Sequence, residues 1–249
     1  MKSLEKEILN KIAASKKYRS LYRKTIEHVV GQTRTEKEAR NLLHQIWNVY
    51  WNKRPDFRKL LIKLKTEGVL PILEIHSSTK ERLPILDSFY KKIFTLTGTP
   101  SSIIDHACGL NPLTISWMNL PEDTAYKAFD IDTEEVIFLN SALQELGIKK
   151  AKVNVGDILT DDFPYADIVF MLKLLPCLEH QKKGVSLEVL RRQKCKFLVV
   201  SFPIKSIGGS ERGMEKFYEK QFLDLIKDEN WQCHKLLFDT ELVFIIKKG

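Results

Sequence analysis

Short apolar runs alternate with longer amphipathic stretches over residues 101–249, and this alternation restricts the possible folds more than any other feature of the chain. Strands that alternate with helices predict a mostly parallel β-sheet with crossover helices on its faces. We therefore expect an α/β fold in this part of the chain. The candidate strands are SSIID (101–105), TAYKAFD (124–130), KAKVNVG (150–156), ADIVFML (166–172) and KFLVVSF (196–202).

The end of the chain departs from that alternation. Residues 234–248, HKLLFDTELVFIIKK, contain two apolar runs around a short turn at Asp239 and Thr240, which predicts an antiparallel β-hairpin. Five parallel strands followed by a hairpin are the order of the Rossmann-like S-adenosylmethionine-dependent methyltransferase fold. An NAD-binding Rossmann domain more usually closes with a parallel strand, so the hairpin favours a methyltransferase over a dehydrogenase.

The first 95 residues predict helices instead. Apolar residues recur at helical spacing in residues 4–18, 35–51 and 54–68. Thr35 and Glu38 form a capping-box pattern, Gly68 is placed to end a helix, and Pro84 predicts a bend or a restart. The breaker-rich TGTPSS, residues 97–102, is the clearest boundary. We expect an all-helical domain of residues 1–97 and a Rossmann-like domain of residues 98–249.

Positive charge is concentrated near the start of the chain. The formal net charge is +8, and residues 1–65 contain 17 Lys and Arg against 6 Asp and Glu, while the remainder contains 23 against 26. A segregated basic excess of this kind is typical of proteins that bind a polyanion. The alternative is that the lysine-rich helix faces are simply solvated.

Several functional classes do not fit the sequence. No apolar run approaches the roughly 18 residues that span a bilayer, and the N-terminus lacks the apolar core of a signal peptide. The four cysteines have no C-x-x-C spacing, so neither a zinc site nor a redox pair is indicated. We expect a cytoplasmic protein without a membrane or metal partner.

Acidic residues follow three successive candidate strands. Asp105 precedes the small residues of ACG (107–109), Asp130 lies 21 residues beyond Gly109, and Asp157 follows the third strand. In a doubly wound sheet, ligands bind at the carboxyl ends of the strands, where an acid at this spacing bonds a ribose diol. Each acid alone could be an ordinary cap or loop residue, but together they favour an adenosine-containing cofactor. One glycine suffices because S-adenosylmethionine has no pyrophosphate to bind.

A family resemblance rests on motifs that cover essentially the whole chain. They are ASKKYRSL (14–21), HSSTKERLPILDSFYKKIF (76–94), ACGLNPL (107–113), FDID (129–132), LKLLPCLE (172–179), SFPIKSIGGSERGM (201–214) and TELVFIIKK (240–248). Together they resemble the aminoglycoside-resistance 16S ribosomal RNA methyltransferases, in their guanine-N7 branch rather than their adenine-N1 branch.

The resemblance implies transfer of a methyl group from S-adenosylmethionine to N7 of a guanine in the decoding site of the 30S subunit. It implies that the N-terminal helices dock on folded 16S rRNA. A monomer is the default expectation for an enzyme that must fit onto a ribosomal surface. Guanine N7 already presents a lone pair and loses no proton, so we name no catalytic acid or base. By the resemblance, the cofactor-binding residues are Tyr50, His76, Ala107, Cys108, Gly109, Asp130, Asp157, Ile158, Leu172, Lys173 and Gln181.

The same resemblance suggests RNA contacts. Lys205, Arg212 and Met214 match a loop over the pocket, and the N-terminal candidates are Lys16, Lys17, Arg19, Arg34, Arg54 and Lys59. Which of the N-terminal cations face RNA is left open.

Other interpretations remain open from the sequence. His76 could be a helix cap or an RNA contact. Pro176-Cys177 is similar to a cytosine-C5 methyltransferase nucleophile, but the flanking residues differ, and we interpret Cys177 as helix packing. The alternative functions are a small-molecule methyltransferase and a non-catalytic ribosome-binding protein with a vestigial cofactor fold.

Overall fold

The computed structural model describes residues 3–47, 49–51, 53–204 and 213–248. Helices occupy the N-terminal part of the chain, as the apolar spacing predicts. They are α1 (Ser3–Ala13), α2 (Arg23–Gln32), α3 (Glu36–Ile46), α4 (Phe57–Glu67), α5 (Leu70–Leu73), α6 (Ser77–Arg82) and α7 (Leu86–Thr97).

The predicted helix ends are confirmed. The Thr35 side chain accepts a hydrogen bond of 3.2 Å from the Glu38 amide, so it caps α3, while the Glu38 carboxylate accepts from the Arg34 amide at 2.8 Å. α4 ends before Gly68, and a 3₁₀ turn that contains Pro84 separates α6 from α7. Local sequence chemistry therefore accounts for where these helices begin and end.

A seven-stranded sheet forms the centre of the molecule, in the order β3-β2-β1-β4-β5-β7-β6. The first five strands pair in parallel, whereas β7 runs antiparallel to both β5 and β6, so the terminal hairpin is confirmed. The strands are β1 (Ser102–His106), β2 (Ala125–Asp130), β3 (Ala151–Val155), β4 (Ala166–Leu172), β5 (Cys195–Pro203), β6 (Gln232–Leu237) and β7 (Glu241–Lys247).

Helices cover both faces of this sheet. Because strand side chains alternate between faces, Ile103 joins the apolar cluster of one face and Ile104 that of the other. The first cluster includes residues of α4, α7 and α8, and the second includes residues of α9, α10 and α11. These helices are α8 (Thr133–Glu145), α9 (Leu175–Gln181), α10 (Val185–Arg192) and α11 (Met214–Ile226), and a 3₁₀ helix spans Asn111–Met118.

The N-terminal helices divide between two cores. Residues between Ile8 and Trp47 form a separate apolar cluster, whereas buried residues of α4 and α7 join the apolar cluster on one face of the sheet. The domain boundary between residues 97 and 98 stays a prediction. None of the helices in the described ranges is both long and apolar enough to cross a membrane.

Candidate functional site

A cavity of about 1070 Å³, including its open mouth, lies at the carboxyl edge of the parallel strands. The segments that follow β1, β2, β3 and β4 line it, together with residues from the N-terminal helical part. The structure thus brings together every residue that we predicted to bind the cofactor. These are Tyr50, His76, Ala107, Cys108, Gly109, Asp130, Asp157, Ile158, Leu172, Lys173 and Gln181.

The loop after β1 lines the cavity with three small residues, Ala107, Cys108 and Gly109. Ala107 and Gly109 both have left-handed φ angles, of 48° and 46°. The Gly109 amide donates to the Asp130 carboxylate at 3.2 Å, which ties this loop to the end of β2. A Cβ atom on Gly109 would lie 2.9 Å from Cε1 of His76, so only glycine fits without displacing that ring.

Two acids end the neighbouring strands. Asp130 accepts a further hydrogen bond of 3.1 Å from the Asp132 amide, and burial raises the pKa of its carboxyl to about 6. Asp157 accepts from the Leu159 amide at 2.9 Å and from the Thr25 hydroxyl at 2.6 Å. Both carboxylates are therefore held in defined orientations at the cavity.

A second acid near Asp130 was missed by sequence reasoning. Glu135 lines the cavity, where Trp51 donates to its Oε2 at 3.3 Å and its Oε1 has no hydrogen-bond partner among the described residues. Burial, and then the charges of Asp130 and Asp132, raise the pKa of Glu135 well above its usual value. Nothing in the sequence distinguishes this glutamate from the other acids at the start of α8.

Tyr50 and His76 bring the helical part of the chain to the same cavity. The Tyr50 hydroxyl donates to the carbonyl of Lys173 at 2.8 Å. The His76 ring lies 4.8 Å from the Trp51 ring, and burial, with Arg82 and Lys173 nearby, lowers its pKa to about 3. His76 is therefore neutral at physiological pH, and its buried Nδ1 has no partner among the described side chains.

A buried ion cluster supports one end of the cavity. Arg82 donates to Glu241 at 3.0 and 2.9 Å and to Asn111 at 3.0 Å, and Lys173 donates to Glu81 at 2.6 Å. Burial opposes ionisation of Glu241, but Arg82 and Lys173 hold its pKa below the usual value. Arg82 was not among our predicted site residues, since its partner lies 159 positions away in the sequence and gives no local signal.

Asp105 is linked to this buried ion cluster through Asn111. It accepts hydrogen bonds from Asn111 at 2.8 Å and from the Tyr126 hydroxyl, and burial raises its pKa to about 7.

Cys177 is half-buried on α9 with its Sγ 3.8 Å from the Lys173 carbonyl, and burial raises the pKa of its thiol. A thiol with a raised pKa is a poor nucleophile, which supports the interpretation of Cys177 as packing.

Three of the predicted RNA-binding residues lie together on one exposed turn. Lys16, Lys17 and Arg19 are exposed in the turn that follows α1. This turn leads into residues 20–22, where the Tyr22 amide donates to the Ile131 carbonyl at 2.7 Å. Ile131 lines the cavity, and Arg19 lies 3.5 Å from Glu134 at the start of α8, so this turn is joined to the segment that follows β2.

The other predicted RNA-binding residues differ in their contacts and in their exposure. Arg54 pairs with Asp132 and with Glu134, and its guanidinium lies 4.8 Å from the Trp47 ring, so it also has a packing role. Met214 is half-buried at the start of α11. Arg34 and Lys59 are exposed, whereas Lys205 and Arg212 lie outside the described residues.

No metal centre is indicated in this part of the molecule. The described residues contain no group of three or more His, Cys, Asp or Glu side chains placed to hold a metal ion.

A doubly wound sheet with a terminal antiparallel hairpin and acids after β2 and β3 defines the class of Rossmann-like S-adenosylmethionine-dependent methyltransferases. Residues 14–245 match the family described as Ribosomal RNA methyltransferase (FmrO), and the chain belongs to this family.

Relatives and solved structures agree with this assignment. A 16S rRNA (guanine(1405)-N(7))-methyltransferase of Micromonospora rosea is 39% identical over 85% of this chain and 82% of its own length. One of Proteus mirabilis with the same name is 32% identical over 97% of this chain and 96% of its own. The structure of RmtF in complex with S-adenosyl-L-homocysteine superposes with a TM-score of 0.84 at 28% identity, covering all of both chains. RmtB gives a TM-score of 0.81 at 27% identity over the same coverage.

Proposed function

We propose that this protein transfers the methyl group of S-adenosylmethionine to N7 of a guanine in 16S rRNA, in the decoding site of the 30S subunit, and so confers aminoglycoside resistance. The observation that supports this most is the convergence of four strand ends on one cavity in a chain of the FmrO family. The relatives at 39% and 32% identity are both named for this modification.

The residues of the cavity fit the cofactor end to end. Asp130 accepts from the ribose hydroxyls, and the orphaned Oε1 of Glu135 offers a second polar atom at that end. Asp157 accepts from the adenine amino group beside Ile158, and the Gly109 backbone allows close approach. The methionine end lies toward Tyr50 and His76, where the unpartnered His76 Nδ1 supplies a polar atom. Leu172, Lys173 and Gln181 complete the lining, with Ala107 and Cys108 in the first loop.

The reaction at guanine N7 needs positioning rather than proton transfer. S-adenosylmethionine supplies, when bound, an electrophilic methyl group on sulfur. The guanine nitrogen has an available lone pair and no proton to lose, so in-line alignment is the main requirement. Burial lowers the pKa of His76 to about 3 and raises that of Tyr50, which leaves both uncharged. Uncharged side chains suit this site because they do not repel the positive charge that passes from the sulfonium to the guanine during transfer.

Substrate binding uses the basic N-terminal helices. Lys16, Lys17 and Arg19 are exposed on the turn after α1, where contacts to phosphates orient the enzyme without reading sequence. The target guanine turns out of its stack to reach the cavity. The enzyme acts as a cytoplasmic monomer on the 30S subunit.

Methylation of purified 30S subunits with methyl-labelled cofactor tests this function. We expect label in 16S rRNA at N7 of one decoding-site guanine, mapped by chemical cleavage at the modified base. The Asp130→Ala variant is the control and should incorporate far less label. Absence of label from rRNA, or label confined to a cytosine, would refute the proposal. Expression in a susceptible bacterium should raise its aminoglycoside tolerance.

A further inference from the structure

Helix α2 contacts the loop that follows β3, although the two are far apart in sequence. The Thr25 hydroxyl donates to Oδ2 of Asp157 at 2.6 Å, across 132 residues. Thr25 is only 1% exposed and Asp157 only 5%, so water does not compete freely for this hydrogen bond. A second contact from the same helix joins Lys24 to Asp161 at 2.6 Å.

These two contacts act on one short loop. Asp161 accepts from the Asp157 amide at 3.0 Å, so the lysine stabilises the loop backbone while the threonine holds the carboxylate. The other oxygen of Asp157 accepts from the Leu159 amide at 2.9 Å. One carboxylate oxygen is therefore oriented by its own loop and the other by the N-terminal helix.

Thr25 itself does not line the cavity, whereas Asp157 does. A carboxylate oxygen accepts more than one hydrogen bond, so the bond from Thr25 leaves Asp157 able to accept from a ligand as well. The threonine thus acts on the cofactor site only through the carboxylate that it holds.

We infer that Thr25 is a positioning residue of the adenine subsite. Its hydroxyl holds the Asp157 carboxylate in the orientation that accepts from the exocyclic amino group of the cofactor. This inference rests on the role of Asp157 in the proposed function. It assigns part of the adenine specificity to a helix outside the Rossmann-like sheet.

Isothermal titration calorimetry with S-adenosylhomocysteine tests this role. Thr25→Val keeps the side-chain volume but removes the donor, and we expect roughly tenfold weaker binding, since hydrogen bonds to charged groups have effects of this order. Thr25→Ser keeps the hydroxyl and should restore most of the affinity. In steady-state assays the valine variant should raise KM for the cofactor with little change in kcat.

Thr124→Val is the matched control. Thr124 is also 1% exposed, and its hydroxyl donates to the Pro100 carbonyl at 3.1 Å before β2, outside the cavity lining. This variant loses one buried hydrogen bond without disturbing Asp157. Its cofactor affinity should equal that of the wild type even if its thermal stability falls.

S-inosylhomocysteine, which has a carbonyl oxygen in place of the amino group, gives a readout that general destabilisation does not change. The wild type should bind S-adenosylhomocysteine more tightly than S-inosylhomocysteine. In Thr25→Val the ratio of the two dissociation constants should be closer to 1. If the valine variant does not fold, Thr25→Ala is used in the same comparison.

Unchanged affinity in Thr25→Val, or an equal loss for both compounds, would overturn the inference while leaving 30S methylation intact. If instead the predicted binding pattern holds but 30S subunits are not methylated, the proposed function fails and the positioning role stands.

Discussion

At the scale of single residues, Gly109 shows how closely the first loop fits its surroundings. Its φ of 46° lies in the left-handed region, and its Cα faces the buried ring of His76. That ring packs against Trp51 and Tyr50, with centroid distances of 4.8 and 5.8 Å, so it has little freedom to move aside. The small residues of this loop were predicted from the sequence, but the histidine contact was not.

We expect Gly109→Ala to lower both stability and cofactor affinity. The added methyl group would meet His76 at 2.9 Å, and overpacking of this kind costs about 1–3 kcal/mol. Denaturant unfolding measures the stability, and calorimetry with S-adenosylhomocysteine measures the affinity.

Gly147→Ala separates the clash from backbone strain. Gly147 also has a positive φ, of 70°, but nothing lies within 4 Å of its added Cβ. The control should lose about 1–2 kcal/mol of stability from strain alone and keep its cofactor affinity. Equal loss of affinity in the two variants would contradict this account of Gly109.

At the scale of elements, the terminal hairpin does more than close the sheet. β7 lies between β5 and β6, and its first residue, Glu241, is fully buried. Glu241 accepts from Arg82 on α6 and from Ser201 on β5 at 2.5 Å, and it lies 3.7 Å from Lys173 after β4. The hairpin therefore supplies the carboxylate that pairs with the buried Arg82, and it places the same carboxylate near Lys173, which pairs with Glu81.

Glu241→Ala should destabilise the protein by about 3–5 kcal/mol, because it leaves the buried Arg82 without its carboxylate partner. Lys173 keeps its ion pair with Glu81. The partly exposed pair of Glu219 with Lys235, at 2.8 Å, is the control. Glu219→Ala should cost less than about 1 kcal/mol, the usual range for surface pairs. Equal unfolding free energies for the two variants would show that the buried Glu241 contributes no more to stability than a carboxylate in a surface pair.

At the scale of the whole molecule, part of the basic excess of the first 65 residues lies on a turn that the fold joins to the segment after β2. Residues 20–22 pair with the segment after β2, where the amide of Thr133 donates to the Ser20 carbonyl at 2.7 Å. The exposed cations that precede Ser20 are therefore on a turn that is joined to the segment after β2. Phosphate contacts there would align the cavity with the target base.

Neutralising Lys16, Lys17 and Arg19 together should weaken binding to 30S subunits, and the loss should depend on salt. Each lost phosphate contact reduces the slope of log affinity against log salt by about 1, so the triple variant should show a reduction of about 2–3. Titrations at several salt concentrations measure this slope.

Three exposed lysines of β2, β3 and the loop before β3 form the matched control. Lys127, Lys149 and Lys152 lie outside the basic N-terminal segment. Their combined substitution removes the same charge and should leave 30S affinity nearly unchanged. If both triple variants weaken binding equally, the N-terminal cations have no special role in docking.

The sequence by itself determined the order of the elements and much of the cavity lining. Strand–helix alternation and the final apolar pair predicted the sheet and its hairpin, because side-chain period and turn chemistry are local properties. The spacing from Gly109 to Asp130 and Asp157 predicted acids at one edge, because parallel strands place their carboxyl ends together.

Only the tertiary structure decided how distant segments complete the site. Arg82 and Glu241, Thr25 and Asp157, and Gly109 and His76 meet through packing of elements, and no local pattern specifies such contacts. Burial is equally non-local, and it is burial that keeps His76 neutral and raises the pKa of Asp130 to about 6. The sequence shows which residue types are present at the strand ends. Their hydrogen-bond partners and charge states depend on which other side chains the fold packs around them.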